Sequence, residues 1–417
     1  MNSAEHPRAG GEPNRFARAE LHVLWVLWLT YGAFYFCRTN LSTATHGIEQ
    51  DLGLSTEQVG VILGSLKLTY GIGQLINGQL AERISPRRML AIGMFGSAAL
   101  NIVFGLGTGF YFLLFVWACN GYCQSLGWAP TMRITAGWFP AIRRGRAIAW
   151  IGTGYQLLAA LTYVVTGWAV QYFGWRGAVF VPAALLAAAG IYMLVALEEA
   201  PVDRPAAVGR EAAGTWKRTV AITLGNGRLW LLALALGLVN ACRYGFLDWG
   251  VRHLLDVQGA PVSASALKNA VVPLGGVVGT LAAGWATDKY FGGRRIPVMV
   301  GMLVALAALV VGYEAIVETN PIASVVALAL IGALLFGPQV LLVGTTPVDL
   351  ARAGTAAAAC GFVNFVGYLG AAAGDVVTGH LAHHHGWQIA LWFWAACAAG
   401  AALAVRPLWR AMATRTE

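Results

Sequence analysis

Gly78-Gln79-Leu80-Ala81-Glu82-Arg83, followed by Arg87-Arg88, recurs 206 residues later as Gly284-Trp285-Ala286-Thr287-Asp288-Lys289, followed by Arg294-Arg295. Each copy closes an apolar run with an acidic residue and a basic cluster. Two further pairs keep the same order. Arg38 returns as Arg243, an offset of 205, and Val164-Val165-Thr166-Gly167 with Gly174-Trp175 returns as Val376-Val377-Thr378-Gly379 with Gly386-Trp387, an offset of 212. Matches that share both order and spacing indicate a duplicated unit about half the chain long.

The solvent of each unit follows from composition. Of 417 residues, 58% are apolar, 52 are Gly and only 11% are charged, whereas soluble proteins carry about 25% charged residues. One aqueous core cannot hide that much apolar surface, so the chain is read as a bilayer protein. A helix needs roughly 20 apolar residues to span a membrane, and twelve such runs lie near 21–45, 58–81, 88–107, 110–137, 145–171, 176–197, 227–257, 264–287, 296–316, 321–349, 354–382 and 387–409. The first run is too long for a signal peptide and lacks a small-residue cleavage site, so it is expected to remain.

Charge sets the expected orientation. Loops on one side hold 21 Lys and Arg, among them Arg83, Arg87, Arg88, Arg143, Arg144 and Arg146, while the opposite loops hold Arg176 and Arg252 beside several acids. Basic flanks stay cytoplasmic, which places both termini inside. The net charge of +9 does not indicate a nucleic-acid reader, because the basic residues alternate with apolar runs instead of covering one polar face. The six cysteines lie within apolar runs with no CxxC pair and are read as small core residues.

The expected architecture is therefore an all-α membrane protein of twelve transmembrane helices in two parallel six-helix halves. A cytoplasmic tail covers 1–20, the halves 21–197 and 227–409, a cytoplasmic linker 198–226, and a second tail 410–417. Parallel six-helix repeats are the arrangement of the major facilitator type of transporter, whose substrate site lies between the halves near mid-membrane.

Ionisable residues within spans are costly and point to function. Here they are Arg38, Lys67, Arg133, Arg243 and Asp375, with Asp248 and Lys268 nearer the outer ends. Arg38 and Arg243 fall at similar depths of equivalent helices. Two guanidinium forks facing each other across the central interface suit a phosphoryl group. The alternative is that each arginine pairs with a carboxylate or with carbonyls of its own half.

The stretches Tyr31-Gly-Ala-Phe-Tyr35-Phe-Cys-Arg38-Thr-Asn40 and Arg243-Tyr244-Gly245-Phe-Leu-Asp248-Trp249 resemble the organophosphate/phosphate antiporters. Further matches in family order are Tyr70-Gly71-Ile72, Gln124-Ser-Leu-Gly127-Trp128-Ala-Pro130-Thr-Met-Arg133, Gly337-Pro338, Gly354-Thr355 and Gly367-Tyr368-Leu369-Gly370, so that the resemblance covers roughly 21–405. It implies that Arg38 and Arg243 bind phosphate and that Tyr31, Tyr35, Tyr70 and Tyr368 line the site. Gln74 and Tyr155 stand where the family has a lysine and a histidine, which puts glycerol-3-phosphate itself in doubt.

Lys67 shares a helix face with Tyr70 and Gln74 and is a candidate to replace the missing charge; the alternative is a lysine snorkelling outward. Asp375, seven residues beyond Tyr368, is expected to pair with Lys67 or Arg243. Glu82, Arg83 and Asp288 are candidate gating groups, and Arg133 is expected to bond carbonyls near Pro130 or to contact substrate. His46 and His383-His384-His385 are read as solvated loop residues with no metal site.

The functional expectation is exchange of a phosphorylated solute for inorganic phosphate by a monomer in a bacterial inner membrane, with no cofactor and no catalysis. The Arg-rich, Ala/Gly-rich composition supports the bacterial source. The alternatives are a hexose-phosphate sensor acting on a partner kinase and a proton-coupled organic anion transporter.

Overall fold

The computed structural model describes residues 12–81, 83–198, 216–351 and 355–411. These residues form helices and turns with no strand among them. In the first half, α1 spans Glu12–Ala33, α2 Thr45–Leu52, α3 Thr56–Leu80, α4 Pro86–Leu106, α5 Phe110–Ser125, α6 Trp128–Trp138, α7 Ala141–Phe173 and α8 Gly177–Ala196. A short α9, Trp216–Leu224, leads into the second half. That half contains α10 Gly227–Tyr244, α11 Gly250–Gln258, α12 Val262–Asn269, α13 Val271–Phe291, α14 Arg295–Thr319, α15 Pro321–Val343, α16 Thr345–Leu350, α17 Ala356–His385 and α18 Trp387–Val405, with α19 at Leu408–Ala411.

Ten runs among the described residues are long and apolar enough to cross a membrane. The first and fourth expected spans are the other two, and both are broken. The first is α1, which begins within the stretch expected as a polar tail and gives way to 3-10 turns at Phe34–Cys37 and Asn40–Thr43. The fourth is α5 and α6, interrupted at Leu126 and Gly127; Pro130, in the first turn of α6, has no N–H to extend the ladder backward. Phe115, Val278, Val311 and Leu330 are among the large apolar side chains exposed in mid-helix, where lipid replaces water.

The duplication is visible in the packing. In the first half α3 packs on α5, α4 on α8 and α1 on α7; in the second, α13 packs on α15, α14 on α18 and α10 on α17. Between the halves α3 meets α17, and α7 meets α12 and α13. Twelve passes return the chain to the face where it began. That face, which carries both ends of the described chain, is called here the terminal face, and the opposite one the far face.

The seam between α3 and α17 is closed at the far face and loosens toward the terminal face. A Cβ added to Gly60 would lie 2.8 Å from the Asp375 carbonyl oxygen, and one on Gly64 2.8 Å from that of Ala372. Only glycine allows backbones so close. Farther along, a Cβ on Gly71 would be 3.0 Å from Tyr368 Cβ, one on Gly361 4.0 Å from Leu75, and one on Gly78 would meet nothing within 4 Å.

Candidate phosphate site

Arg38 and Arg243 both stand where their helices break. Arg38 follows the 3-10 turn Phe34–Cys37, and Arg243 occupies the last turn of α10, just before a wider π-type turn at Gly245–Trp249. Non-helical backbone at membrane depth survives only where other groups satisfy it. Those groups are polar residues buried in apolar runs. Asn120 Nδ2 donates to the Cys37 carbonyl at 2.9 Å and Gln124 Nε2 to that of Phe34 at 3.0 Å. In the second half Asn269 Nδ2 donates to the Phe246 carbonyl at 3.2 Å, and Tyr163 Oη, from the first half, to that of Leu247 at 2.6 Å.

The two arginines are 3% exposed. Arg38 Nε donates to Gln124 Oε1 at 3.0 Å and Nη2 to the Gln124 carbonyl at 3.4 Å, while Nη1 is buried with no acceptor. Arg243 Nε is likewise buried without one. Neither arginine forms an ion pair among the described residues, so the alternative of a carboxylate partner in the same half is not what is seen; Arg38 instead has Gln124.

Aromatic rings take up the charge. The Arg38 guanidinium lies 4.6 Å from the Tyr35 ring centroid and 4.4 Å from that of Tyr70, and the Arg243 guanidinium 4.8 Å from Tyr244 and 4.6 Å from Phe336. Tyr70 packs on Tyr368 at 4.5 Å and Tyr368 on Tyr244 at 6.3 Å, so three rings bridge one arginine to the other. Tyr155 stacks on Tyr35 at 5.2 Å and meets Tyr31 edge-on at 6.1 Å, while Tyr31 also packs on Trp128 at 4.9 Å. Tyr35 and Tyr368 are within electrostatic reach of both arginines.

Other candidates fall elsewhere. Lys67 is buried, not snorkelling, and its ammonium is not available to a guest: it pairs with Asp248 and, at 2.8 Å, with Asp375 Oδ2. Of the two partners expected for Asp375, Lys67 and Arg243, it is Lys67 that pairs with it, a turn or two nearer the far face than the arginines. Gln74 Nε2 donates to the Ser125 carbonyl at 3.3 Å and so braces α3 against α5. Arg133 donates to the carbonyls of Ala81 and Ile84 and holds the turn between α3 and α4. Arg83 and Asp288 are exposed at the terminal face, with Asp288 in electrostatic reach of Arg295, and Glu82 lies outside the described residues.

The histidine reading needs correction. His383, His384 and His385 end α17 as helix, not loop, because the left-handed Gly386 that stops the helix comes after them. With His380 they stand at the far face, where Glu57 approaches His380 and His384 from the other half. Arg252 of the second half also pairs with Glu49 of the first, at 2.7 Å.

Sequence reasoning left three participants without a role in the site. Gln124 and Tyr244 lay in plain view as a buried amide and as the ring next to Arg243. Phe336 had no signal beyond hydrophobicity.

Residues 27–375 match the model of the Major Facilitator Superfamily. The chain belongs to that superfamily. Its relatives are those the sequence resemblance implied. A probable hexose phosphate transport protein of Chlamydia trachomatis is 29% identical, over 94% of this chain and 91% of its own length. The membrane sensor protein UhpC of Escherichia coli is 29% identical over 84% and 83%. The glycerol-3-phosphate transporter of Bacillus subtilis is 29% identical over 89% and 88%. As in other superfamily members, the two halves here are parallel repeats with their polar centre between them.

Proposed function

We propose that the protein exchanges a phosphorylated organic solute for inorganic phosphate by alternating access, with Arg38 and Arg243 as the phosphate ligands. The observation that carries this reading is the pair of buried guanidiniums, one from each half, each with a buried N–H that has no acceptor. Such groups are rare in native interiors, and an anionic oxygen is their natural partner. The relatives named for hexose phosphate and glycerol-3-phosphate transport support the same guest.

Exchange follows from charge. Two cations with unfilled donors resist full enclosure, because a buried unpaired charge is expensive; a phosphate or a phosphate ester neutralises them and lets the halves rock. Tyr31, Tyr35, Tyr70, Tyr155 and Tyr368 shape the space around the phosphoryl group and the body of the solute. No bond is made or broken, so the protein acts as a transporter and not as an enzyme. We place it as a monomer in a bacterial inner membrane with its terminal face inside, following the basic loops of that face. The stretches 1–20, 198–226 and 410–417 then lie in the cytoplasm. On that placement the closed far face points outward.

The test is uptake of labelled phosphate into proteoliposomes preloaded with phosphate, against empty ones, with hexose-6-phosphates, glycerol-3-phosphate and phosphoglycerates as competitors. Uptake only into loaded vesicles is the expected result, and the best competitor names the solute. Saturable phosphate-ester binding without uptake would favour a sensor, a reading supported by the similarity to the UhpC sensor protein. Neither binding nor uptake would overturn the phosphate assignment.

A further inference from the structure

His380 and His384 stand one turn apart on α17, with ring centroids 4.6 Å apart, well removed from the arginines. Glu57, on the first turn of α3 and hence in the other half, reaches both. Its Oε1 is 3.3 Å from His380 Nδ1 and its Oε2 3.5 Å from His384 Nε2. One donor atom from each of the three residues lies within 4.8 Å of the others. Ligands bound to zinc at 2.0–2.1 Å in a tetrahedron are about 3.3 Å apart, so each imidazole already stands near ligand spacing from its own oxygen of the carboxylate, and a small adjustment of the side chains brings all three onto one ion.

We propose that Glu57, His380 and His384 form a binding site for a divalent transition-metal ion of the Zn2+ class, assembled only when the two halves are closed at the far face. Residues i and i+4 share one helix face, and two imidazoles with one carboxylate suit zinc better than calcium or magnesium, which take mostly oxygen. All three side chains are about half exposed, so an ion has access and water can fill a fourth position. His385 lies about 140° round the helix from His380 and faces away from Glu57, and the carboxylate contacts run to His380 and His384 alone among the four histidines.

The dependence on closure comes from the seam. Beside the site, a Cβ on Gly379 would lie 2.9 Å from the Thr56 carbonyl oxygen, so the backbones of α3 and α17 touch there. Rocking the halves apart at the far face separates the carboxylate from both imidazoles. A ligand of one state shifts the balance by its occupancy of that state; at a hundred times Kd the closed form gains about a hundredfold. Zinc at this face therefore acts as a brake on opening.

The experiment is calorimetric titration of tag-free protein in detergent with Zn2+, alongside Glu57→Gln, His384→Ala and His385→Ala. The expected result is one site whose affinity falls about tenfold or more in the first two variants and is unchanged in the third. Glu57→Gln keeps size and shape, which guards against a mere folding defect. Absence of saturable binding, or equal binding by all four proteins, overturns the site. Spin labels at Gln50 and Glu318, exposed on opposite halves of the far face, supply the second readout. Zn2+ should narrow their separation toward the short distance in the parent and leave it unchanged in His384→Ala; no effect in the parent overturns the link to closure. Neither readout uses phosphate, so failure here is distinct from failure of the exchange assignment.

Discussion

Lys67 Nζ lies 2.8 Å from Asp375 Oδ2, and the two residues belong to different halves. Asp248, also in the second half, takes the same ammonium from another side. A single lysine of the first half thus ties down two carboxylates of the second, all three almost fully buried. The group joins the halves between the two buried arginines and the far face.

Removing the cation leaves two buried carboxylates facing each other. Breaking a buried pair costs about 3–5 kcal/mol, so Lys67→Met should lower the thermal unfolding midpoint in detergent clearly. Adding Asp375→Asn should restore part of the loss. A double variant no more stable than the sum of the two single effects would argue against a direct pair.

At the arginines, geometry matters as well as charge. Arg38→Lys retains the cation and loses the planar fork. Loss of one charge-assisted hydrogen bond is worth about 1.5–3 kcal/mol, so phosphate affinity should fall roughly ten- to a hundredfold, read by competition against labelled phosphate. Arg243→Lys should match it. Undiminished affinity in either would count against bidentate recognition.

Gln124 supplies a third handle, because its side chain binds Arg38 and the broken backbone together. Gln124→Glu sets a carboxylate beside the guanidinium and competes with the guest. Phosphate affinity should fall by about tenfold or more, while Arg38 stays buried. A gain in affinity would show that Gln124 does not orient this arginine.

The glycine seam can be wedged open. A Cβ on Gly64 already meets the Ala372 carbonyl oxygen at 2.8 Å, and overpacking typically costs about 1–3 kcal/mol. Gly64→Leu should shift the population toward a far face that is open, measured as faster labelling of cysteines introduced along that face of α17. Slower labelling would mean that the seam is not what holds the far face shut.

Much of the architecture was legible because lipid imposes a simple rule: charges are confined to the ends of apolar runs, and exceptions need reasons. That rule picked out Arg38, Arg243, Lys67 and Asp375, and left Asp375 to pair with either Lys67 or Arg243. The breaks at Phe34–Cys37 and Gly245–Trp249 were not legible. Neither contains a proline, and each is held by side chains distant in sequence, such as Asn120 and Tyr163. Gln74 was placed at the site only by the family resemblance, which has a lysine there; its amide donates to a carbonyl on α5, a contact that spacing along α3 does not reveal. The histidines misled because His383-His384-His385 looks like loop until the left-handed glycine after it is seen to be the true stop.

The two ring-cradled arginines also bear on what else can use the path. A hydrated sodium ion or hydronium entering from either side meets two fixed positive charges halfway across, the arrangement by which pores and carriers exclude protons and cations. Against a potential worth about 2.3 kcal/mol per charge per 100 mV, such a barrier opposes cation entry while the arginines carry no anion. On the proposed assignment, the side chains that take the anion also insulate the membrane against electrical leakage when the site is empty.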